Sequence, residues 1–303
     1  MDNNPARLSG LWLPLITPFN DGALDEVSLR RLLRHYAAEP IDGLILAATS
    51  GEGLALDESE TERLVSITAE ELGDRRESLP VYLGLSGSAT RKVAQMLQRT
   101  DGWPLDGYLI ACPSYIRPSQ EGLLQHFTAL AGATARPILI YNIPYRTGVN
   151  LENAAMLRLA AFSNIVGLKD CSANPAQSFD LLRRRPKDFA VLTGEDALFY
   201  SALAQGADGG ITMSAHIEPR AFADVRNKLR AGDQAAALSD WYGLSHLPEL
   251  LFAEPSPAPV KHWLWRMGLI DSPELRLPMT GISEALAQRI DRTIETRALA
   301  KTA

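Results

Sequence analysis

Lysine is scarce in this chain: it supplies six of the 30 basic residues, and arginine supplies the rest. Of the six, Lys169 closes the apolar run Ile165-Val166-Gly167-Leu168-Lys169. Burial at such a place disfavours the ammonium and leaves a neutral amine, which can attack a carbonyl and form a Schiff base. The plainer alternative is a lysine that leaves the strand end to pair with a carboxylate such as Asp170, and position alone leaves both readings open. Lys261 is the rival lysine, but it follows a proline-rich joint, a setting that suits packing or an interface.

Schiff-base chemistry on a 2-oxo acid needs a hydroxyl to move protons and donors for the carboxylate. It also needs a cation if the second substrate is an acid. Tyr141 stands at the end of another apolar run and could shuttle protons; taken alone, it reads more readily as a core aromatic with a satisfied hydroxyl. Thr49 and Ser50, ahead of the Gly51 turn, could bind a carboxylate through hydroxyls and backbone amides, or could serve only as turn residues. Arg146 has the planar fork that grips a carboxylate bidentately, although a surface ion pair is the commoner fate of an arginine. Each signal is modest, and their joint occurrence at the ends of apolar runs is what argues for a site. No histidine stands at these ends, and the carboxylates there are too few for a divalent metal.

The elements that must position these groups alternate strictly. Short apolar runs cover Leu11–Ile16, Gly43–Thr49, Val81–Leu85, Gly107–Ala111, Ile138–Asn142, Ile165–Lys169, Phe189–Thr193 and Gly209–Met213. Most are continuously apolar, as expected of parallel strands covered on both faces. Helical periodicity fills the gaps: Leu29, Leu32, Leu33 and Tyr36 share one face behind Asp25 as N-cap, and Leu123, Phe127, Leu130 and Ala131 share another behind Ser119. Asp57 with Glu60 has the spacing of a capping box. Eight such units predict an α/β fold, a (β/α)8 TIM barrel, whose active site lies at the C-terminal ends of the strands. An open doubly wound sheet would announce a glycine-rich phosphate loop, which Thr17-Pro18-Phe19-Asn20 cannot supply. The expected division is a barrel over residues 1–218 and a C-terminal helical appendage over 219–303, interrupted at Pro255, Pro257 and Pro259.

Composition narrows the function. The 303 residues carry a net charge of −6, with 46% apolar and 22% charged side chains, ordinary for a globular chain without basic clusters, so nucleic acid is not the expected partner. The run Arg183-Arg184-Arg185 reads as a solvated helix end. Cys112 and Cys171 belong to no metal or disulfide pattern. No signal peptide or membrane span is legible, so a cytoplasmic protein is expected.

These residues resemble the dihydrodipicolinate synthase and N-acetylneuraminate lyase superfamily, the pyruvate-dependent Schiff-base aldolases. The likeness runs through Pro14-Leu15-Ile16-Thr17-Pro18-Phe19, Thr49-Ser50-Gly51-Glu52, Tyr141-Asn142-Ile143-Pro144, Gly167-Leu168-Lys169-Asp170 and Pro257-Ala258-Pro259-Val260-Lys261. It implies an imine between Lys169 and pyruvate, with Tyr141 as acid/base and no organic cofactor, the imine itself being the electron sink. Thr49 would link Tyr141 to Tyr115 in a hydroxyl relay, and Tyr115 would reach in from a neighbouring subunit of a homotetramer, a dimer of dimers. Thr49 and Ser50 would bind substrate, Ile211 would offer its carbonyl to the adduct, and Gly194 and Gly210 would stand near the site. The pattern around Arg146 is similar to the dihydrodipicolinate synthases, whose arginine holds the carboxylate of aspartate semialdehyde. That implies a lyase condensing pyruvate with this small aldehyde in the diaminopimelate route to lysine. Other acceptors share the scaffold (sugar acids, N-acetylneuraminate, 4-hydroxy-2-oxoglutarate), as would a non-catalytic binding paralogue. Ala48 stands where the family has glycine. Glu58, Ser88, Lys92 and Ser114 replace residues that bind feedback lysine, so insensitivity to L-lysine is expected.

Overall fold

The computed structural model describes residues 8–302. Eight parallel strands close into a barrel: Gly10–Pro14, Gly43–Leu46, Val81–Leu85, Gly107–Ala111, Ile138–Asn142, Ile165–Asp170, Ala190–Thr193 and Gly209–Ile211. Each is hydrogen-bonded to the next in sequence, and the eighth returns to the first through the register Gly10↔Gly209.

Period-two alternation sorts the side chains into two layers. Leu11, Leu13, Leu44, Leu46, Ile138 and Ile140 face outward against the helices. Trp12, Ile45, Tyr82, Leu109, Leu139, Tyr141, Leu192 and Ile211 fill the interior. At the bottom, Trp12 and Tyr82 meet edge to face at 5.1 Å between ring centroids. They fit because a Cβ on Gly43 or Gly107 would lie about 2.5 Å from their rings. The two rings thus plug the barrel below.

The helix starts follow the expected chemistry. Asp25 accepts from the amide of Ser28 at 2.9 Å, and Asp57 and Glu60 complete their reciprocal capping box. Ser119 accepts from the amide of Gly122 at 3.2 Å. Leu29, Leu32, Leu33 and Tyr36 are all fully buried.

Some strand ends differ from the sequence reading. The second strand stops at Leu46 because Ala47 takes φ +50°, so Thr49 and Ser50 ride on a turn above the barrel. The first and eighth strands stop at Pro14 and Ile211. The basic run is not wholly solvated: Arg183 and Arg184 pair with Asp180 at the helix end, but Arg185 turns inward onto Asp208.

Beyond the eighth strand the chain is helical, in Pro219–Arg230, Gln234–Leu244, His246–Leu251, Ala258–Arg266 and Glu284–Thr302. The first of these packs on the Gly10–Pro14 strand. The proline joint separates His246–Leu251 from Ala258–Arg266, and Pro259 sits in the first helical turn, where its missing N–H costs nothing. Among the described residues no helix is long and apolar enough to cross a membrane.

Candidate active site

Strand parity decides where Lys169 points. It shares the inward face of its strand with Gly167 and Cys171, and it sits directly beside Tyr141 in the register Tyr141↔Lys169. Its Nζ lies 4.3 Å from the centroid of the Tyr141 ring. Asp170, one residue on, faces the other way, where its carboxylate accepts from the amide of Ser172 at 2.9 Å and the hydroxyl of Ser178 at 2.5 Å. The pairing of Lys169 with Asp170 therefore does not form. Among the described residues Lys169 makes no ion pair, and burial pulls its pKa down toward the neutral amine. Burial likewise keeps the Tyr141 phenol protonated far above its ordinary range.

Room for the lysine comes from Gly194. A Cβ there would stand 2.5 Å from Lys169 Cε and closer still to Cys171 Sγ. Gly210 does a different job: its missing Cβ makes way for the Phe199 ring on the outer side of the barrel.

Lys169, Tyr141, Thr49, Ser50, Arg146 and Ile211 all line one narrow cleft at the top of the barrel. A larger groove shares Thr49, Tyr141, Arg146 and Ser256 with it and leads outward. On the Thr49-Ser50-Gly51 turn, the amides of Ser50 and Gly51 find no backbone acceptor among the described residues and remain available to an anion. Arg146 lies in the one-turn helix Pro144–Thr147 at the rim. Its Nε donates to Tyr145 Oη at 3.2 Å, and it has no carboxylate partner among the described residues. The surface ion pair considered for it is absent, and an unpaired guanidinium faces the cleft.

The hydroxyl relay does not close within one chain. Thr49 is exposed, and among the described residues its hydroxyl reaches neither tyrosine. Tyr115 is 92% exposed and lines neither cavity, on a backbone at φ +72° that an aromatic residue seldom adopts. The only side-chain partner of Tyr141 Oη among the described residues is the Cys171 thiol, at 3.9 Å.

Several lining residues escaped the sequence reading. Asp196 is buried beside Lys169, held by the amides of Met213 at 3.2 Å and Ser214 at 2.5 Å, and burial raises its pKa. Met213 also accepts a hydrogen bond from Ser256. Ser256 and Phe252 come from the C-terminal region and line the cleft. Asp196 follows Gly194 by two residues just past a strand end, the one signal that could have found it; for Ser256 and Phe252 the sequence holds none. Lys261 is elsewhere, in a buried ion pair with Glu52, its pKa pulled down to about 8 by burial. Among the described residues no cluster of three metal-ligating side chains exists.

The chain compares closely with known proteins. A 4-hydroxy-tetrahydrodipicolinate synthase of Clostridium acetobutylicum is 41% identical over 288 residues, which span 94% of this chain and 99% of the relative. The dihydrodipicolinate synthase structure of Thermotoga maritima superposes with a TM-score of 0.92 at 31% identity, covering 97% of this chain and 99% of that one. A structure described as a monomeric dihydrodipicolinate synthase variant gives 0.91 at 31% identity, covering 95% and 96%. The profile of the Dihydrodipicolinate synthetase family matches residues 7–297. With the barrel, the strand-end lysine and this coverage together, the chain belongs to the dihydrodipicolinate synthetase family.

Proposed function

We propose that this enzyme is a 4-hydroxy-tetrahydrodipicolinate synthase, a lyase of the Schiff-base aldolase type. The observation that carries the reading is a desolvated, unpaired Lys169 in register with Tyr141, in a cleft that an unpaired Arg146 overlooks. Lys169 Nζ attacks C2 of pyruvate, water leaves, and an iminium forms. Loss of a C3 proton gives the enamine, with the positive nitrogen taking up the electron pair. C3 then bonds to the aldehyde carbon of L-aspartate 4-semialdehyde. The acceptor's own amine attacks C2, closes the ring and releases the lysine. No organic cofactor enters the scheme.

Tyr141 moves the protons of imine formation. Thr49 and Ser50, with the free amides of their turn, take the pyruvate carboxylate, and the Ile211 carbonyl faces the adduct. Arg146 takes the carboxylate of the second substrate in a bidentate grip. Thr49 joins Tyr141 to Tyr115 of a second copy, within a homotetramer built as a dimer of dimers. The exposed side chains of Leu54, Tyr115, Ile116 and Leu277 supply apolar surface for such a contact. We assign residues 1–218 to the barrel and 219–303 to the helical region packed on it, residues 1–7 and 303 of these lying outside the described residues, with Pro219–Arg230 touching both, and place the enzyme in the cytoplasm.

Treating the protein with pyruvate and borohydride, followed by peptide mass analysis, should place a reduced adduct on Lys169, and aspartate semialdehyde should be turned over in parallel. An adduct without turnover would move the second substrate to a sugar-acid aldehyde. No adduct would overturn the imine mechanism.

A further inference from the structure

Lys261, the lysine that imine chemistry does not use, is fully buried in helix Ala258–Arg266. Its Nζ forms a close ion pair with Glu52, donates to the Glu274 carbonyl at 2.8 Å, and lies 4.3 Å from the centroid of the Phe19 ring. Glu52 Oε2 accepts from the amide of Arg276 at 3.1 Å. Both anchors of the Glu52 carboxylate thus come from the C-terminal region. A buried ion pair returns little net stability after desolvation, so stability alone is a poor reason for one here.

Its location suggests another reason. Glu52 ends the turn that carries Thr49, Ser50 and Gly51, and this turn is strained: Ala47 and Glu52, neither of them glycine, both take φ +50°. Such backbone persists only where its surroundings over-determine it. Within the barrel, the turn is tied by the Thr17 hydroxyl on the Gly51 carbonyl at 2.7 Å and by the Glu52 and Gly53 amides on Thr49 and Ala48, each at 3.2 Å. Among the described residues the remaining hydrogen-bonded tie is the Glu52 side chain. Its charge matters as well, because an unneutralised carboxylate at this place would repel an incoming carboxylate substrate.

We propose that the Glu52–Lys261 pair is a strut through which the C-terminal region holds the Thr49–Gly51 turn in the shape that receives a carboxylate, making both positioning residues for pyruvate. The proposal rests on the reading that this turn takes the pyruvate carboxylate.

The test measures the pyruvate concentration that half-saturates borohydride trapping on Lys169. Lys261→Met leaves Glu52 charged and unpaired and risks the fold. Glu52→Gln keeps the side chain's size but weakens the tie to Lys261 to a neutral contact, and Glu52→Gln with Lys261→Met removes the tie and both charges. Folding of each is checked by circular dichroism and Tm. The strut predicts a half-saturating pyruvate concentration raised several-fold in Glu52→Gln and roughly tenfold or more in the double variant. Trapping at saturating pyruvate should stay complete, because Lys169 itself is untouched. A folded Glu52→Gln or double variant that saturates with pyruvate as the parent does would overturn the strut. Absence of trapping in the parent would instead overturn the imine reading.

Discussion

Gly194→Ala tests the placement of Lys169 without changing any polar group. The added methyl would stand 2.5 Å from Lys169 Cε and 3.0 Å from its Cγ, with Cys171 Sγ nearer still. Ordinary carbon–carbon contact begins at about 3.5 Å, so the lysine stem must retreat by about 1 Å. Overpacking of this kind costs about 1–3 kcal/mol of stability. A misplacement of about 1 Å in a reacting group lowers turnover by roughly 10²-fold. The control is Gly210→Ala, whose methyl would meet the Phe199 ring at 2.7 Å on the far side of the barrel wall. It should lose comparable stability while keeping its turnover. Tm, steady-state turnover and the rate of borohydride trapping on Lys169 separate the two effects. A Gly194→Ala enzyme that turns over as fast as the parent would refute the argument that this glycine makes room for the reactive amine.

Three further outcomes are expected. Arg146→Ala should leave trapping by pyruvate unchanged and raise KM for the acidic acceptor by about 10- to 150-fold, equivalent to the 1.5–3 kcal/mol of a charged hydrogen-bond pair; an unchanged KM removes Arg146 from recognition. His216 accepts from the amide of Ile16 at 3.3 Å through Nε2, and its Nδ1 contacts the Met213 carbonyl at 2.8 Å; burial lowers its pKa to about 4. Between about pH 4 and 6.5 the unfolded chain therefore binds a proton that the folded one does not, so this contribution is complete above pH 6.5 and is lost as pH falls toward 4. It amounts to about 3 kcal/mol, and denaturant unfolding at several pH values should show a shallower dependence in His216→Gln; equal slopes would contradict it. L-lysine should not inhibit at sub-millimolar concentration, because Lys92 is an exposed cation and Glu58 already pairs with Arg99 at 3.1 Å, so neither position offers the effector's ammonium an unpaired anion. Half-inhibition in that range in a steady-state assay would refute this.

The alternation of eight apolar runs with capped helices was readable directly from the residues, and with it the barrel and its strand ends. These are local properties: period two, period 3.6 and cap chemistry act within a few residues, so Asp25, Asp57 and Ser119 do what their spacing predicts. That Lys169 and Tyr141 stand at the ends of apolar runs was legible for the same reason. The tertiary structure decided which neighbours those groups meet. Asp170, adjacent in sequence, points away, while Asp196 from the next strand end lies beside the amine, because barrel closure rather than chain proximity brings faces together. Closure also set Ser256 and Phe252 over the cleft and joined Lys261 to Glu52, pairings across most of the chain that no periodicity encodes. Tyr115 marks the boundary of a single chain: its motif is plain, yet its ring stands in the open because nothing within this chain packs against it among the described residues.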